Sequence, residues 1–245
     1  MRSKNYVFKS LLLIIITTTF YVLFLLSSRT SFLAIILSIF VVASLLLIKK
    51  FVYTKEIKTD MQNYKFFILP LIIAFIIFKL SINQSGEISF EKRVTSIVEN
   101  ENDASSYERF RFYGHAINYI ASNPLLGCGI GNWRLMSIKY DSKTMYSYVV
   151  PYFAHNDFLE IFAETGFFGF LSYLLFFFYL FKEILKNILL WLKAQGNYIS
   201  VLFLICLMYY LIDANLNFPL DRPTMQVPLL FLIALVYSNK YSNAE

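Results

Sequence analysis

Long apolar runs recur along this chain, separated by shorter polar segments. A run of about 20 apolar residues has the length of a membrane-spanning helix. We predict six such spans, at about Tyr6–Leu26, Ser31–Ile48, Phe66–Leu80, from Phe158 or Phe167 to Phe181, Tyr198–Ile212 and Met225–Tyr237. The stretch Ile184–Leu192 either extends the fourth span or lies along the membrane interface. Because the runs are continuous rather than alternating, the pattern favours an all-α polytopic transmembrane bundle over a β-barrel.

One segment between the third and fourth spans is too polar to lie in a bilayer. We therefore divide the chain into spans one to three (1–80), an extramembrane loop with short helices (81–157) and spans four to six (158–245). The loop contains both histidines, His115 and His155. A water-facing active site is expected mostly in this loop and the start of the next helix.

Basic residues indicate which way the bundle faces. Six spans place the following residues on one side: Arg2, Lys4, Lys9, Lys49, Lys50, Lys55, Lys58, Lys65, Lys182, Lys186, Lys193 and Lys240. The positive-inside rule makes that side, with both termini, cytoplasmic. Three segments are then expected to meet at the outer face: the Arg29 hairpin, the long loop and Asp213–Pro223.

Composition supports a membrane protein. The chain is 58% hydrophobic and only 16% charged, whereas soluble domains are nearer half apolar and a quarter charged. The net charge of +6 is explained by lysines that flank spans, and no basic, aromatic-interleaved soluble domain suggests nucleic-acid binding. Cys128 and Cys206 are interpreted as packing residues. The basic, apolar N-terminus lacks a small-residue cleavage site, so it is interpreted as a retained span.

Arg109 and Arg111 lie in a predicted helix at about Tyr107–Ser122. Two residues apart on a helix, they point about 200° from each other. Arg111 can pair with Glu108 at i,i+3 spacing, and its stripe continues through His115. Arg109 shares a partly apolar stripe with Tyr113, Ala116 and Ile120, where a guanidinium needs a partner. Arg109 is therefore the better candidate for binding a ligand.

Pro124 ends this helix, and three alternating glycines follow at Gly127, Gly129 and Gly131. The spacing is GxGxG and follows a helix rather than a strand, so it does not indicate a dinucleotide site. We interpret it as a structural turn that places Trp133 at the membrane interface.

His155 is the strongest single candidate for chemistry. Asp157 and Glu160 have capping-box spacing, which predicts a helix start near Asp157. His155 would then lie beside the positive end of a helix, where anions bind. Imidazole also accepts protons near neutral pH. A histidine that hydrogen-bonds a carbonyl is the structural alternative, and Glu160 and Glu164 are interpreted mainly as structural.

Two further arginines lie on the predicted outer side. Arg29 could extend towards lipid head groups, but it is the lone basic residue of its hairpin, which favours anion binding. Arg222 is a weaker candidate because the adjacent Asp221 could neutralise it. The chain has no HExxH motif, no cysteine–histidine cluster, no P-loop and no Asp-x-Asp pair. We therefore expect no metal and no nucleotide cofactor.

These residues resemble the O-antigen ligase/polymerase family. The matching blocks are Ser28-Arg29-Thr30-Ser31, Arg109 with Tyr113, NPLLGxGxGNW from Asn123 to Trp133, HNDFLxxxxETGxxG from His155 to Gly169, and FPLxRP from Phe218 to Pro223. The resemblance is clearest over Leu23–Gly169. It departs in length, because such proteins usually have ten or more spans. The chain is thus expected to correspond to the C-terminal half of the family fold.

The resemblance implies a bacterial inner-membrane glycosyltransferase with a periplasmic active site. Such enzymes move a glycan from undecaprenyl diphosphate to an acceptor, which could be lipid A–core, a growing polysaccharide or a protein. It further implies His155 as general base and inversion at the anomeric carbon. Arg29, Arg109, Arg222 and Arg111 would bind the diphosphate, with Asn156, Asp157 and Glu164 in supporting roles. The alternatives are a polysaccharide polymerase of the same family and a non-enzymatic transporter or scaffold for envelope polysaccharide.

Overall fold

The computed structural model describes residues 2–26, 29–53, 69–80, 104–142, 152–193 and 198–242. Its α-helices are α1 (Arg2–Leu26), α2 (Arg29–Ile48), α3 (Leu69–Leu80), α4 (Ala104–Ser122), α5 (Trp133–Asp141), α6 (Asp157–Leu192), α7 (Ile199–Leu216) and α8 (Pro223–Ser242). A π-helical turn, Lys49–Tyr53, extends α2, and a 3₁₀ turn, Pro219–Asp221, precedes α8. These ranges contain no strand, which confirms the all-α prediction for the described part of the chain.

Within the described ranges, three helices are long and apolar enough to cross a membrane: Thr30–Tyr53, Asp157–Leu192 and Ile199–Leu216. They coincide with the second, fourth and fifth predicted spans, and Ile184–Leu192 continues α6. The other three predicted spans coincide with the shorter apolar helices Lys9–Leu25, Leu69–Leu80 and Pro223–Ser238. The apolar helices support a membrane protein, whereas the count of six spans and the periplasmic loop stay predictions.

The chain divides into two compact units, Met1–Glu101 and Asn102–Glu245. In the first unit, α1 and α3 share a small aromatic core. Phe24 and Phe78 stack with ring centroids 5.5 Å apart, and Ala74 is fully buried beside them. Many other side chains of this unit are exposed and apolar, as expected for helices that face lipid. The three-part division at residues 80 and 157 stays a prediction.

The second unit is built around α6 and α7. Phe177 of α6 stacks on Tyr210 of α7 at 5.8 Å. A separate cluster joins α4 and α5 to the start of α6, with Ala116, Tyr119, Trp133 and Ala163 buried in it. Trp133 is 1% exposed and packs edge-on against Tyr119. The indole of Trp133 thus fills this core, and its predicted position at the membrane interface stays a prediction.

The glycine segment 127–131 fills a break in α6. Gly166 has φ 67° and ψ −166°, so it interrupts the helix and leaves backbone groups without helical partners. Cys128 N donates to Ala163 O at 2.9 Å, Gly129 N to Glu164 O at 2.8 Å, and Phe167 N to Pro124 O at 2.9 Å. The segment is a structural turn, as predicted, and it anchors the loop onto α6.

Glycine is required where this turn meets the helix break. A Cβ on Gly127 would lie 2.5 Å from the Glu164 carbonyl, and one on Gly166 would lie 2.2 Å from the Leu125 oxygen. Both residues also have positive φ, which L-residues with a side chain adopt at a cost. The close approach holds α4, the turn and the first part of α6 together, and it positions the residues described next.

Candidate active site

His155 lies at the junction of α4, α6 and the segment after α7. Its φ of 55° is the sole positive φ among described non-glycine residues. Phe112 stacks on the imidazole at 5.8 Å, and Phe218 packs against it edge-on at 5.0 Å. Its Nδ1 is buried and has no hydrogen-bond partner among the described residues. The ring is thus held by aromatic packing, and no described side chain uses that nitrogen.

Tyr113 fixes the backbone of His155. Its hydroxyl lies 3.1 Å from His155 O and 3.0 Å from Asn215 O. Asn156 Nδ2 donates to the same Asn215 oxygen at 3.2 Å. These bonds connect α4, the start of α6 and the end of α7 around His155. A left-handed residue costs roughly 1–3 kcal/mol, and this network holds His155 in that conformation.

The helix after His155 begins at Asp157, as predicted, but its cap differs from the prediction. Asn156 is the N-cap, and its Oδ1 accepts from Leu159 N at 3.1 Å. The Asp157 carboxylate instead accepts from Leu220 N at 3.0 Å. The expected capping box between Asp157 and Glu160 is therefore wrong, since Asn156 has the extended backbone that an N-cap requires. Asp157 connects α6 to the 3₁₀ turn.

Glu160 and Glu164 are buried and accept bonds from loop backbone. Glu160 Oε2 accepts from Ala154 N at 2.8 Å, and Glu164 Oε1 accepts from Trp133 N at 3.2 Å. Glu160 thereby holds the residue just before His155, while Glu164 holds the N-terminus of α5. These positions agree with the mainly structural roles predicted for both residues.

Arg109 lies near enough to His155 for its positive charge to act on the imidazole. Its Nη2 lies 3.4 Å from Asn217 Oδ1. Asn217 Nδ2 in turn donates to Asp213 Oδ1 at 2.6 Å. A neutral amide therefore stands between Arg109 and this carboxylate. No described carboxylate forms an ion pair with Arg109.

Arg222 also lies near His155, and its positive charge acts on the imidazole. Its guanidinium lies 4.2 Å over the Phe218 ring, and Phe218 contacts His155. Asp221 does not pair with Arg222; its carboxylate binds Arg134 at 2.9 Å instead. The reason for ranking Arg222 low was neutralisation by Asp221, and the structure gives that carboxylate a different partner.

The guanidinium of Arg111 binds carboxylates away from His155. It pairs with Glu108, as predicted, and with Asp141 at 3.2 Å, and its side chain is 8% exposed. His115 Nε2 lies 3.0 Å from the same Asp141 oxygen. Arg111 reaches the site indirectly, because its guanidinium lies 5.2 Å over the Phe112 ring, which stacks on His155. The structure thus brings Arg109 and Arg222 to His155 and places Arg111 in a buried ionic cluster.

Arg29, the remaining predicted anion ligand, is the first residue of α2. It belongs to the first unit, and its side chain lies outside those that the structure describes. Its proposed part at the site stays a prediction.

Burial and charge act in the same direction on His155. Burial lowers the pKa of its imidazole below 6.5, and the positive charges of Arg109 and Arg222 lower that pKa further. The protonated form is disfavoured both by desolvation and by the two guanidiniums. His155 is therefore neutral at pH 7 and able to accept a proton.

Sequence reasoning missed several residues that build this site. Asn215 and Asn217 lie in the predicted outer segment Asp213–Pro223, but nothing in their spacing singled them out, and Phe218 was noted only as part of the FPLxRP block. Phe112 and Arg134 were likewise not singled out. A useful signal was available in the run Asn215-Leu-Asn217-Phe-Pro219, because two amides directly after an apolar span indicate a polar contact there.

Among the described residues, no group of three or more His, Cys, Asp or Glu side chains is placed to hold a metal ion.

The comparison with protein families gives one match. The family model described as O-antigen ligase matches residues 12–174, a range that includes α4, α5, the glycine turn and His155. Among curated proteins and solved structures, no match to the chain was found.

Proposed function

The chain belongs to the O-antigen ligase family, and we propose that it transfers a glycan from a polyprenyl diphosphate carrier to an acceptor hydroxyl. Family membership and the apolar helices support a membrane protein with a glycosyltransferase-like function. The donor, the reaction and the residue roles given below are the proposal.

One observation carries the proposal: a neutral histidine lies near two guanidiniums whose charges act on it and that have no carboxylate partner among the described residues. Fixed guanidiniums suit a diphosphate, because they stay charged and present paired donors to phosphate oxygens. A neutral imidazole suits an acceptor hydroxyl, because it can take the proton as the oxygen attacks. The two features together match group transfer from a phosphate leaving group better than ion transport.

The proposed reaction is a single displacement. The acceptor oxygen forms a bond to the anomeric carbon of the donor sugar, and its proton passes to His155. The bond between that carbon and the diphosphate oxygen breaks, and the oxygen leaves with the electron pair. Arg109 and Arg222 bind the diphosphate, with Arg29 as a further ligand. Direct displacement inverts the anomeric centre, and no metal or other cofactor is required.

The remaining predicted residues have positioning roles in this scheme. Asn156 caps α6 directly after His155, and Asp157 holds the 3₁₀ turn that precedes Arg222. Glu164 orders the glycine turn. Arg111 is reassigned from diphosphate binding to the buried cluster with Glu108 and Asp141, because that cluster uses its guanidinium.

We place the reaction at the periplasmic face of a bacterial inner membrane, with both termini cytoplasmic. The partners are a lipid-linked glycan and an acceptor such as lipid A–core, a growing polysaccharide or a protein. The geometry of His155 and the arginines serves a ligase and a polymerase equally. An assay with separate acceptors distinguishes these two reactions.

The test uses the full chain in proteoliposomes with undecaprenyl-diphosphate-linked glycan and each acceptor class in turn. His155→Gln is expected to lower transfer by about 10²–10⁴-fold, the usual contribution of a general base. His115→Gln is the matched control, since His115 contacts Asp141 rather than the site; its activity per folded molecule is expected to be unchanged. Transfer at the normal rate by His155→Gln would contradict the mechanism.

A further inference from the structure

Four side chains form a continuous column beside His155. Arg134 lies 4.7 Å over the Phe153 ring, Phe153 stacks on Phe218 at 4.2 Å with planes 5° apart, and Arg222 lies 4.2 Å over Phe218. We call this set the arginine–phenylalanine column. Each ring has a guanidinium on one side and the other ring as neighbour, so neither is available to stack on a sugar. The column instead fixes where its two terminal cations lie.

The carboxylate next to Arg222 is bound at the opposite end of this column. Asp221 precedes Arg222 in the chain, yet its Oδ1 accepts from Arg134 Nη2 at 2.9 Å. Arg222 forms no ion pair with a described carboxylate. Asp221 is the last residue of the 3₁₀ turn Pro219–Asp221. The guanidinium that binds it, that of Arg134, packs on Phe153, which stacks on Phe218.

We propose that Arg134 is a positioning residue that engages Asp221 and so leaves Arg222 unneutralised for an anionic donor. The inference rests on the proposed function for the identity of that anion, a lipid diphosphate. Without Arg134, Asp221 has Arg222 as its nearest sequence neighbour of opposite charge and turns to it. Arg134 acts through Asp221 and makes no contact with the substrate.

A role in stability alone does not account for this arrangement. The Arg134 and Asp221 side chains are 48% and 36% exposed, and exposed ion pairs contribute at most about 1 kcal/mol. The consequence of the pair lies in which guanidinium keeps its free charge. Arg222 is one of the two cations that act on His155, so a carboxylate bound to it would weaken the site.

The test compares four variants of the full chain with wild type: Arg134→Gln, Asp221→Asn, the double variant and Arg134→Lys. We expect Arg134→Gln to raise the donor KM about fivefold, equivalent to about 1 kcal/mol, with little change in kcat. In Asp221→Asn no carboxylate is present that could pair with Arg222, so the donor KM of this variant stays within about twofold of wild type. The double variant returns to that level, and Arg134→Lys keeps it because the ammonium still pairs with Asp221.

Each alternative role of Arg134 predicts a different ranking of the variants by donor KM. If Arg134 only supported the fold, Asp221→Asn would be as defective as Arg134→Gln, and the double variant no better. If Arg134 bound the donor itself, the double variant would stay defective. If Arg134→Gln bound donor like wild type, the pair would have no role. Any of these results overturns the inference.

A binding measurement separates this inference from the proposed reaction. Farnesyl diphosphate serves as probe, by equilibrium dialysis against the purified full chain in detergent micelles. Weaker binding by Arg134→Gln alone, restored in the double variant, supports the inference even if wild type transfers no glycan, a result that would overturn the reaction. Equal binding by all variants alongside normal transfer overturns the inference and leaves the reaction intact. No binding by wild type overturns both.

Discussion

Helix α4 carries an arginine on each of two faces. The arginine of one face is paired with carboxylates, and the arginine of the other face is not. On one face, Arg111 pairs with Glu108 and Asp141, and His115 shares the Asp141 carboxylate. On the other, Arg109 meets the amide of Asn217. Both faces are associated with a histidine, yet His115 has a carboxylate partner while Nδ1 of His155 has none among the described residues.

The two faces differ in the hydrogen-bond acceptors that surround their arginines. Two carboxylates, Glu108 and Asp141, face Arg111 on the first face and neutralise its charge, so this buried cluster is a poor site for a further anion. The second face has amide and carbonyl oxygens, which orient the side chains without cancelling their charge. Residue type alone therefore does not separate a structural arginine from a ligand-binding one. The partner that the fold supplies does.

The largest expected contrast is between the two arginines. Arg109→Ala is expected to lower kcat/KM for transfer by about 10²–10³-fold, as the loss of one preorganised cation does, with little change in thermal stability. Arg111→Ala is expected to keep most activity per folded molecule but to cost roughly 3 kcal/mol of unfolding free energy, because Asp141 stays buried. Transfer assays and thermal unfolding in detergent measure both. Equal losses of activity would show that the two faces are not distinct.

A smaller effect is expected when the second face is made to resemble the first. The double variant Asp213→Asn/Asn217→Asp exchanges a carboxylate and an amide that already bond at 2.6 Å, which places the carboxylate against Arg109. We expect roughly tenfold weaker donor binding, because a partly buried ion pair competes with the diphosphate. Asp213→Asn alone is the control and should bind donor normally. Unchanged binding in the double variant would show that Arg109 need not be free of carboxylates.

The smallest effect concerns pH. Because burial, then Arg109 and Arg222, lower the pKa of His155 below 6.5, the neutral base is present above that lowered pKa and lost as pH falls through it. The acid limb of kcat/KM is therefore expected below pH 6.5. Arg222→Gln removes one cation and should move this limb to higher pH, whereas Arg111→Gln should leave it in place. A limb that does not move in Arg222→Gln would show that Arg222 does not act on His155.

The pattern of apolar and polar residues was sufficient to predict where the helices lie, but it predicted their lengths less well. Apolar runs predicted the all-α class, and Pro124 and Asp157 marked helix boundaries within a residue or two of those observed. The break inside α6 was not predicted, because the sequence around Gly166 does not distinguish a glycine inside a regular helix from one with positive φ. The count of spans also depends on how short helices such as Leu69–Leu80 sit in a bilayer, which composition does not decide.

The site was predictable where helical geometry alone placed the side chains. The 200° separation of Arg109 and Arg111 follows from the turn of a helix, and the structure gives the two arginines different partners. The pairing of Arg111 with Glu108 was predicted correctly, but several other partners in the site were mispredicted or missed. Asn156 rather than Asp157 caps α6, and Asp221 binds Arg134 rather than Arg222. The first outcome is a choice between two nearby acceptors, and the second is a choice between two nearby donors.

The sequence by itself determined the apolar helices, the position of His155 at the start of α6 and the direction in which each arginine of α4 points. These properties depend on local periodicity and on residues within one or two helical turns. Only the tertiary structure decided which cations kept their charge free. That choice depends on contacts across long separations, such as Arg109 with Asn217 and Arg134 with Asp221. Sequence spacing does not encode such contacts, because they form only after α6, α7 and the glycine turn have packed together.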